Sequence, residues 1–321
     1  MIVLTGGAGF IGSCFLKKLN DMGITDVLVV DHLGHGNKWK NLTGKIFTDF
    51  VHKNKFRRHL REGLYIGRIE KIVHFGACSS TTERDADYLL DNNLSYSKEL
   101  AEYAHKRNLR YIYASSAATY GNGEYGYSDK VFDKYRPLNA YGLSKHIFDQ
   151  WVVKNGFDEE FTGIKFFNVF GPNEYHKGQM ASMIYKSYLQ IKDTGKVRLF
   201  KSYDPEYPDG GQMRDFIYIK DVIEFLWKMF TDENFSGIYN LGTGIPRTWN
   251  DLANAVFSAM GEPVNIEYID MPEEIKNQYQ YYTKADMEKL NSTNCSMQFR
   301  TLEDSVKDYV KKYLDNNIAI F

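Results

Sequence analysis

A run of glycines near the start of the chain limits the possible folds more than any other feature. The run Thr5–Gly12 (TGGAGFIG) follows the apolar segment Ile2–Thr5 and precedes a segment with helical periodicity. Gly6, Gly9 and Gly12 match the spacing G-x-x-G-x-x-G, and an overlapping set matches G-x-G-x-x-G. Glycines at this spacing permit a tight turn and a close approach of the backbone to a pyrophosphate, which the free N–H groups of the following helix bind. The run predicts a dinucleotide site; the competing interpretation is a glycine-rich turn without a ligand.

The remaining pattern predicts a doubly wound α/β fold. Short apolar segments alternate with amphipathic ones, which is typical of a parallel sheet covered by helices on both faces. The predicted strands are Ile2–Thr5, Val27–Asp31, Lys71–Phe75, Arg110–Ser115, Gly163–Asn168, Asp215–Ile219, Gly237–Leu241 and Ile266–Ile269. The predicted helices are Phe10–Met22, Asp85–Arg107, Ala140–Asn155, Trp249–Met260 and Leu302–Leu314.

The alternation breaks after Gly171-Pro172. We therefore predict that residues 1–170 form a dinucleotide-binding domain. Strands within about residues 214–245 are predicted to return to the sheet of this domain. Residues 171–213 and 246–321 are predicted to form a smaller C-terminal α/β substrate-binding lobe.

Tyr141 and Lys145 are spaced as neighbours on one face of a predicted helix. An ammonium beside a phenol stabilises the phenolate and lowers its pKa from ~10, so the pair predicts a proton-transfer group for neutral pH. Tyr-x-x-x-Lys alone arises often by chance, and its position downstream of the glycine run is what makes it significant. Ser116 follows a predicted strand, where its hydroxyl is a candidate donor to a substrate oxygen. The alternative for Ser116 is a turn that satisfies the local backbone.

The residue that ends the second predicted strand, Asp31, is a candidate partner for an adenosine ribose. Lys38 and Lys53 follow it, and such cations suit a 2′-phosphate on that ribose. The alternative for both lysines is solvated surface, so NADP and NAD both remain possible from these residues alone.

The distribution of charges and cysteines excludes several functional classes. The chain has 321 residues, of which 40 are basic and 41 acidic, so no broad basic field is expected for nucleic acid or an anionic membrane. The three cysteines form no C-x-x-C pair and the eight histidines show no H-x-x-x-H spacing, so neither a disulfide framework nor a metal site is predicted. No apolar run approaches the ~20 residues that span a bilayer. We expect a cytoplasmic protein without membrane insertion.

Together these motifs resemble the extended short-chain dehydrogenase/reductase family, which contains nucleotide-sugar epimerases and dehydratases. The glycine run, Ala114–Gly121 (ASSAATYG) and Tyr141–Lys145 (YGLSK) carry this resemblance. Further stretches resemble the branch of the family that inverts C6 of ADP-heptoses, namely Gly76–Glu83, Asp91–Asn93, Phe167–Pro172, His176–Gly178 and Gln278–Gln280.

The resemblance implies an NADP-dependent Rossmann-fold isomerase that converts ADP-D-glycero-beta-D-manno-heptose into its L-glycero epimer for lipopolysaccharide core biosynthesis, and that forms a homo-oligomer. It implies transient oxidation of C6 to a ketone and hydride return, with Tyr141 and Lys177 as the two acid/base groups. It implies cofactor contacts from Phe10, Ile11, Asp31, His32, Lys38, Lys53, Phe75, Gly76, Ala77, Cys78, Ser79, Asn92, Tyr141, Lys145, Val169 and Lys177. It implies substrate contacts from Ser116, Asn168, Gln179, Lys186, Phe200, Lys201, Ser202, Tyr203, Arg214 and Tyr279.

This chain departs from the pattern of that branch at several points. His32 stands where Asn is common, Gln179 and Lys186 stand where Ser and His are common, and the loop Tyr203–Gln212 is longer. The alternatives are another epimerase, a dehydratase or a reductase of the same family, and a cofactor-sensing protein that has lost catalysis. A dehydratase usually carries an Asp-Glu pair where this chain has Ala117-Ala118-Thr119, and the intact catalytic motifs argue against a sensor.

Overall fold

The computed structural model describes residues 1–276 and 279–321 and consists of alternating strands and helices. The strands are β1 (Ile2–Thr5), β2 (Val27–Asp31), β3 (Asp49–His52), β4 (Lys71–His74), β5 (Arg110–Ser116), β6 (Thr162–Phe166), β7 (Asn168–Phe170), β8 (Val197–Phe200), β9 (Met213–Arg214), β10 (Phe216–Tyr218), β11 (Gly237–Leu241), β12 (Arg247–Thr248) and β13 (Ile266–Ile269). The α-helices are α1 (Phe10–Asp21), α2 (Lys53–Arg61), α3 (Ala86–Leu89), α4 (Tyr96–His105), α5 (Ala140–Lys154), α6 (Met183–Thr194), α7 (Ile219–Thr231), α8 (Trp249–Met260), α9 (Glu273–Lys276), α10 (Glu288–Asn291) and α11 (Leu302–Tyr309).

The central sheet has seven parallel strands in the order β3-β2-β1-β4-β5-β6-β11. In β1, Leu4 pairs with Val29 on one side and Val73 on the other. Val3 and Leu4 are both fully buried, and they belong to separate apolar clusters on opposite faces of the sheet. Burial on both faces explains the continuous apolar strands and confirms the predicted doubly wound fold.

In the part of the chain that the structure describes, three two-stranded pairings lie outside the central sheet: β7 with β10, β8 with β13, and β9 with β12. The prediction that Gly237–Leu241 returns to the central sheet is confirmed, because β11 pairs with β6. The same prediction for Asp215–Ile219 is wrong, because β10 pairs with β7. The chain bends at Phe167, whose N–H donates to the Leu241 carbonyl (3.1 Å), and the predicted strand Gly163–Asn168 is divided there into β6 and β7.

The long helix predicted at Asp85–Arg107 is divided by a π-helical segment, Leu90–Ser95, between α3 and α4. The buried Asn93 lies in this segment, and its side-chain amide bonds both the N–H (2.8 Å) and the carbonyl (3.0 Å) of Cys78. It also donates to Ser144 Oγ of α5 at 3.1 Å. π-helical turns are frequent beside functional sites. Here Asn93, in the π-helical segment, links α5 to the loop after β4.

In the described ranges, none of the helices is long and apolar enough to cross a membrane.

A fully buried ion pair joins α5 to the central sheet. Lys165 of β6 and Asp149 of α5 have no exposed side-chain surface, and their charged atoms lie 2.5 Å apart. Asp149 also accepts hydrogen bonds from Ser115 Oγ (2.6 Å) and the Tyr113 hydroxyl (3.2 Å), both on β5. Lys165 donates in addition to Thr119 Oγ1 at 2.9 Å. The pair is therefore well satisfied by polar neighbours, and it fixes α5 against two adjacent strands.

We predict that Lys165→Met destabilises the fold strongly, because it leaves the Asp149 carboxylate buried without its counter-ion. Breaking a buried pair in this way costs roughly 3–5 kcal/mol. The free energy of unfolding from urea titration measures the effect, with Lys311→Met as a control. Lys311 pairs with Asp315 on an exposed helix surface, so its loss should change stability little. Equal urea midpoints for the two variants would contradict the prediction.

Candidate active site

A cleft of about 530 Å³ opens at the carboxyl edge of the central sheet. Its walls follow the ends of successive strands: Gly6 comes after β1, Asp31 ends β2, Phe75 comes after β4 and Ser116 ends β5. The strand order reverses between β1 and β4, which is the position where open α/β sheets bind ligands.

Most of the site residues expected from the sequence line this cleft. They are Gly6, Gly9, Phe10, Ile11, Gly12, Asp31, Lys38, Phe75, Gly76, Ala77, Ser79, Ser116, Tyr141, Lys145, Asn168, Val169, Lys177, Gln179 and Lys186. Residues separated by more than 170 positions in the chain thus meet in one place.

The glycine loop is shaped so that side chains are excluded. Gly6 has φ +69°, and a Cβ atom on Gly12 would lie 2.1 Å from the Gly6 carbonyl oxygen. Gly9 occupies the N-cap of α1 without a side-chain cap, and the first turn of α1 carries no acidic residue. The first N–H groups of a helix have no partner within the helix, so this end of α1 faces the cleft as an anion-binding group. This geometry fits a cofactor pyrophosphate.

Basic groups collect around Asp31 at the end of β2. The Asp31 carboxylate accepts hydrogen bonds from the Ala8 N–H (2.9 Å), the His32 N–H (2.6 Å) and the Lys38 amine (2.5 Å). Lys53 donates to the Asn92 side chain, and its pKa is lowered by burial. Burial and then the Lys53 charge lower the pKa of His32. His32, Lys53, Cys78 and Asn92 do not line the cleft itself.

Tyr141 and Lys145 lie on α5, which begins after Asn139. The Asn139 side chain accepts the Gly142 N–H at 2.8 Å, and this cap places Tyr141 in the first helical turn. Lys145 is 3% exposed, and its amine donates to the Ala114 carbonyl at 2.8 Å. Burial lowers the pKa of Lys145 to about 8.

The local environment of the Tyr141 phenol differs from the sequence expectation. Burial raises the pKa of Tyr141, and a hydrogen bond with Ser116 opposes the shift. The Lys145 amine is bonded to the Ala114 carbonyl, so the expected lowering of the tyrosine pKa by the lysine is not seen in the protein alone. Ser116 Oγ also accepts the Ala118 N–H at 3.1 Å, as a turn-forming serine does, while the residue lines the cleft.

Lys177 reaches the cleft from the loop after β7. Its amine lies 5.6 Å from the centroid of the Phe10 ring, at the start of α1. Burial lowers the pKa of Lys177, and the nearby Glu174 carboxylate opposes that shift. An amine with a lowered pKa releases its proton more readily than a surface lysine does.

The substrate-binding residues predicted after Lys186 in the sequence do not line the cleft themselves. Arg214 lies between the rings of Trp249 and Tyr279, 5.5 and 5.3 Å from their centroids, and donates to the Met213 carbonyl at 2.8 Å. Trp249 lines the cleft, and it donates through Nε1 to the Tyr279 hydroxyl at 2.9 Å. Arg214 and Tyr279 therefore form a layer behind Trp249.

The stretch Phe200–Tyr203 does not line the cleft. The Lys201 amine lies 3.2 Å from the Asp270 carboxylate, to which the half-exposed Tyr203 donates at 2.9 Å. Ser202 N–H donates to Asp209, and the Phe200 ring lies 6.5 Å from that of Tyr279. Gln278 of the Gln278–Gln280 stretch lies outside the described residues.

Sequence reasoning missed several side chains that line the cleft, among them Thr81, Phe166, Met180, Ser182, Met183 and Trp249. Met180 and Ser182 lie within three residues of Gln179, and that proximity is the signal that could have found them; Trp249 opens a predicted helix. The apolar residues among them carry no acid, base or charge, so a motif built on such groups does not identify them.

Comparison with known proteins places the chain in a family. The NAD dependent epimerase/dehydratase family has a sequence model that matches residues 2–242. The chain belongs to this family. As a member of the NAD dependent epimerase/dehydratase family it uses a nicotinamide cofactor, for which the glycine loop provides a fitting site.

Relatives of known name resemble nearly the whole chain. It is 50% identical over 316 residues to the ADP-L-glycero-D-manno-heptose-6-epimerase of Nitratidesulfovibrio vulgaris strain DP4, with 98% of each chain covered. It is 46% identical over 325 residues to the protein of the same name from Fusobacterium nucleatum, again with 98% of each covered. The crystal structure of Helicobacter pylori ADP-L-glycero-D-manno-heptose-6-epimerase matches with a TM-score of 0.81 at 30% identity, covering 97% of this chain and 95% of that one.

We predict that Gly12→Ala weakens cofactor binding on the order of tenfold or more. The added methyl group meets the Gly6 carbonyl oxygen, so the loop must shift and lose hydrogen bonds to the charged phosphates, each contributing roughly 1.5–3 kcal/mol. Titration calorimetry with the nicotinamide cofactor measures the change. Gly36→Ala is the matched control, because a Cβ there meets nothing within 4 Å. Unchanged affinity in a folded Gly12→Ala protein would mean that the loop does not hold the cofactor.

Proposed function

We propose that this protein is an NADP-dependent epimerase that inverts C6 of the heptose in ADP-D-glycero-beta-D-manno-heptose, giving the L-glycero epimer for lipopolysaccharide core biosynthesis. The observation that carries the proposal is that two proton-transfer side chains from different elements, Tyr141 of α5 and Lys177 of the loop after β7, line one cleft. The names of the relatives supply the substrate.

The geometry of the cleft supports a set of cofactor contacts. When bound, the nicotinamide supplies reversible two-electron oxidation of the alcohol at C6. The glycine loop and the start of α1 bind the pyrophosphate, and Asp31 binds the adenosine ribose. Lys38 and Lys53 bring positive charge to the same end, which favours a ribose that carries a 2′-phosphate.

Ser116, Tyr141 and Lys145 act at one face of C6. The Ser116 hydroxyl donates to the C6 oxygen, and Tyr141 exchanges a proton with that oxygen. Lys145 is charged below about pH 8, so its ammonium offsets the effect of burial on the phenol when the two approach.

Lys177 acts at the opposite face. Inversion requires that the carbonyl intermediate presents its other face when the hydride returns, which carries the C6 oxygen away from Tyr141. A second proton donor is then needed, and Lys177 reaches the cleft from an element unrelated to α5. Lys186 brings a further positive charge to this side for the diphosphate, while Arg214 and Tyr279 remain predicted contacts from the layer behind Trp249.

We predict that Lys38→Ala weakens NADP binding more than NAD binding, because the lost cation matters most where the extra phosphate lies. Calorimetric affinities for both cofactors give the ratio, and acid release from the purified enzyme identifies the cofactor that it carries. Lys40→Ala, an exposed lysine in the same turn, is the control. Release of NAD alone, or an equal effect of Lys38→Ala on both affinities, would contradict the NADP assignment.

We predict that wild-type protein interconverts the two C6 epimers of ADP-heptose and that Tyr141→Phe loses roughly 10²–10⁴-fold in rate while retaining its fold. The substitution removes one hydroxyl and keeps the ring. Chromatographic resolution of the epimers measures turnover. A dehydrated or reduced product would instead assign the chain to another class of the family, and a Tyr141→Phe rate within a few-fold of wild type would exclude Tyr141 as the principal base.

We predict that Lys177→Met also blocks epimerisation but biases stereochemistry in the opposite direction to Tyr141→Phe. Met keeps much of the apolar volume of the lysine stem and cannot carry a proton. With an analogue that bears a carbonyl at C6, each variant retains one acid/base group and should favour the epimer formed on that side. If Lys177 merely supplies charge near the cofactor, Lys177→Met slows both faces equally and weakens cofactor binding.

A further inference from the structure

A buried carboxylate that the mechanism does not use lies beneath the loop that carries Lys177. Glu174 is 1% exposed. Its Oε1 accepts hydrogen bonds from Gly171 N–H (3.2 Å), Ser182 Oγ (2.7 Å) and the Tyr309 hydroxyl (3.1 Å), and its Oε2 accepts Ser182 N–H (2.6 Å). All four donors are neutral. Burial raises the pKa of Glu174, and the hydrogen bonds from Ser182 and Gly171 together with the nearby Lys177 charge oppose that shift.

These bonds close the segment Gly171–Ser182 on itself. Gly171 and Ser182 are its two ends, and Tyr309 on α11 adds a third point of attachment. The segment contains Asn173 at φ +75°, in the left-handed region that few residues other than glycine and asparagine adopt. Lys177 lies inside this closed segment, three residues after Glu174.

The closed segment is also held against α1. The Asn173 side chain donates to Ser13 Oγ at 2.9 Å, and the Asn41 side chain donates to the Asn173 carbonyl at 3.0 Å. Asn41 bonds the Ala8 carbonyl of the glycine loop as well, at 3.0 Å. These contacts and those of Glu174 together hold the segment that carries Lys177 beside α1.

We propose that Glu174 is the positioning residue for Lys177: its carboxylate closes the Gly171–Ser182 segment and holds the Lys177 amine over the Phe10 ring. The proposal rests on the proposed function, in which Lys177 transfers a proton. The same carboxylate opposes the lowering of the Lys177 pKa by burial, so it also favours the protonated amine.

Two variants test the proposal in the cofactor-loaded full chain. Glu174→Gln keeps the size of the side chain but sets its amide NH2 group against a backbone N–H, that of Ser182 or that of Gly171, and Tyr309→Phe removes one donor at nearly constant volume. Tyr188→Phe is the matched control, because its hydroxyl also donates to a carboxylate, Asp315 (3.1 Å), away from Glu174. The readouts are hydrogen exchange at the Gly171 and Ser182 amides, labelling of Lys177 relative to Lys145 by an amine-reactive reagent, and epimerisation kcat and KM.

For Glu174→Gln we expect amide exchange and relative labelling of Lys177 to rise on the order of tenfold, because a hydrogen bond to a charged group is lost. kcat should fall with little change in KM. Tyr309→Phe should move all readouts in the same direction by less, and Tyr188→Phe should leave them unchanged.

Unchanged exchange and labelling in a folded Glu174→Gln protein would overturn the proposal; if that variant does not fold, the same result for Tyr309→Phe would do so. A loss of exchange protection spread over the whole chain, with Lys145 labelled as strongly as Lys177, would reduce Glu174 to a general stability role. The failure of the proposed function is a separate result: Lys177→Met would then epimerise normally, whatever the exchange data show.

Discussion

The order of the parallel strands reverses between β1 and β4, and the cleft depends on that reversal. The chain moves outward along the sheet from β1 to β3 and then crosses back to β4 and onward to β11, so the connections after β1 and β4 diverge on opposite faces. Because every strand is parallel, all carboxyl ends meet at one edge. The glycine loop, Asp31, Phe75 and Ser116 therefore reach a common space although none of them is near another in sequence.

Burial gives the polar groups around this space their properties. Lys145 is withdrawn from water on α5, which lowers its pKa to about 8, and the neighbouring Asp149 opposes the shift. Asp149 in turn is held by Lys165 and by the β5 hydroxyls, so the same ion pair that fixes α5 to the sheet sets the charge near Lys145. On the other side, Glu174 does for Lys177 what Asp149 does for Lys145, since each opposes the lowering of a lysine pKa by burial.

Sequence reasoning was most successful where a local pattern has one structural solution. The bounds of β1 and β2 were predicted to the residue, and the site motifs lie at the cleft because strand ends converge there. It failed where pairing between distant segments decides which sheet a strand joins. β10 pairs with β7 and not with the central sheet, and a short apolar run is compatible with either position. Periodicity also could not reveal the π segment Leu90–Ser95, since a single wide turn leaves the amphipathic pattern almost unchanged. The Lys38–Asp31 contact depends on side-chain geometry that spacing does not contain.

The central claim is that the hydrogen at C6 leaves one face of the carbon and returns to the other within a single binding event. The most direct test is to incubate the purified enzyme in ordinary water with ADP-heptose deuterated at C6. A second substrate, which has ordinary hydrogen at C6 and is distinguished from the first by its mass, is present in the same reaction. The account predicts that the product epimer retains deuterium at C6, that no deuterium crosses to the unlabelled molecules, and that no solvent hydrogen enters C6. Loss of deuterium to water would contradict it, because inversion would then proceed by proton exchange at carbon rather than by oxidation and reduction in the cleft of Tyr141 and Lys177.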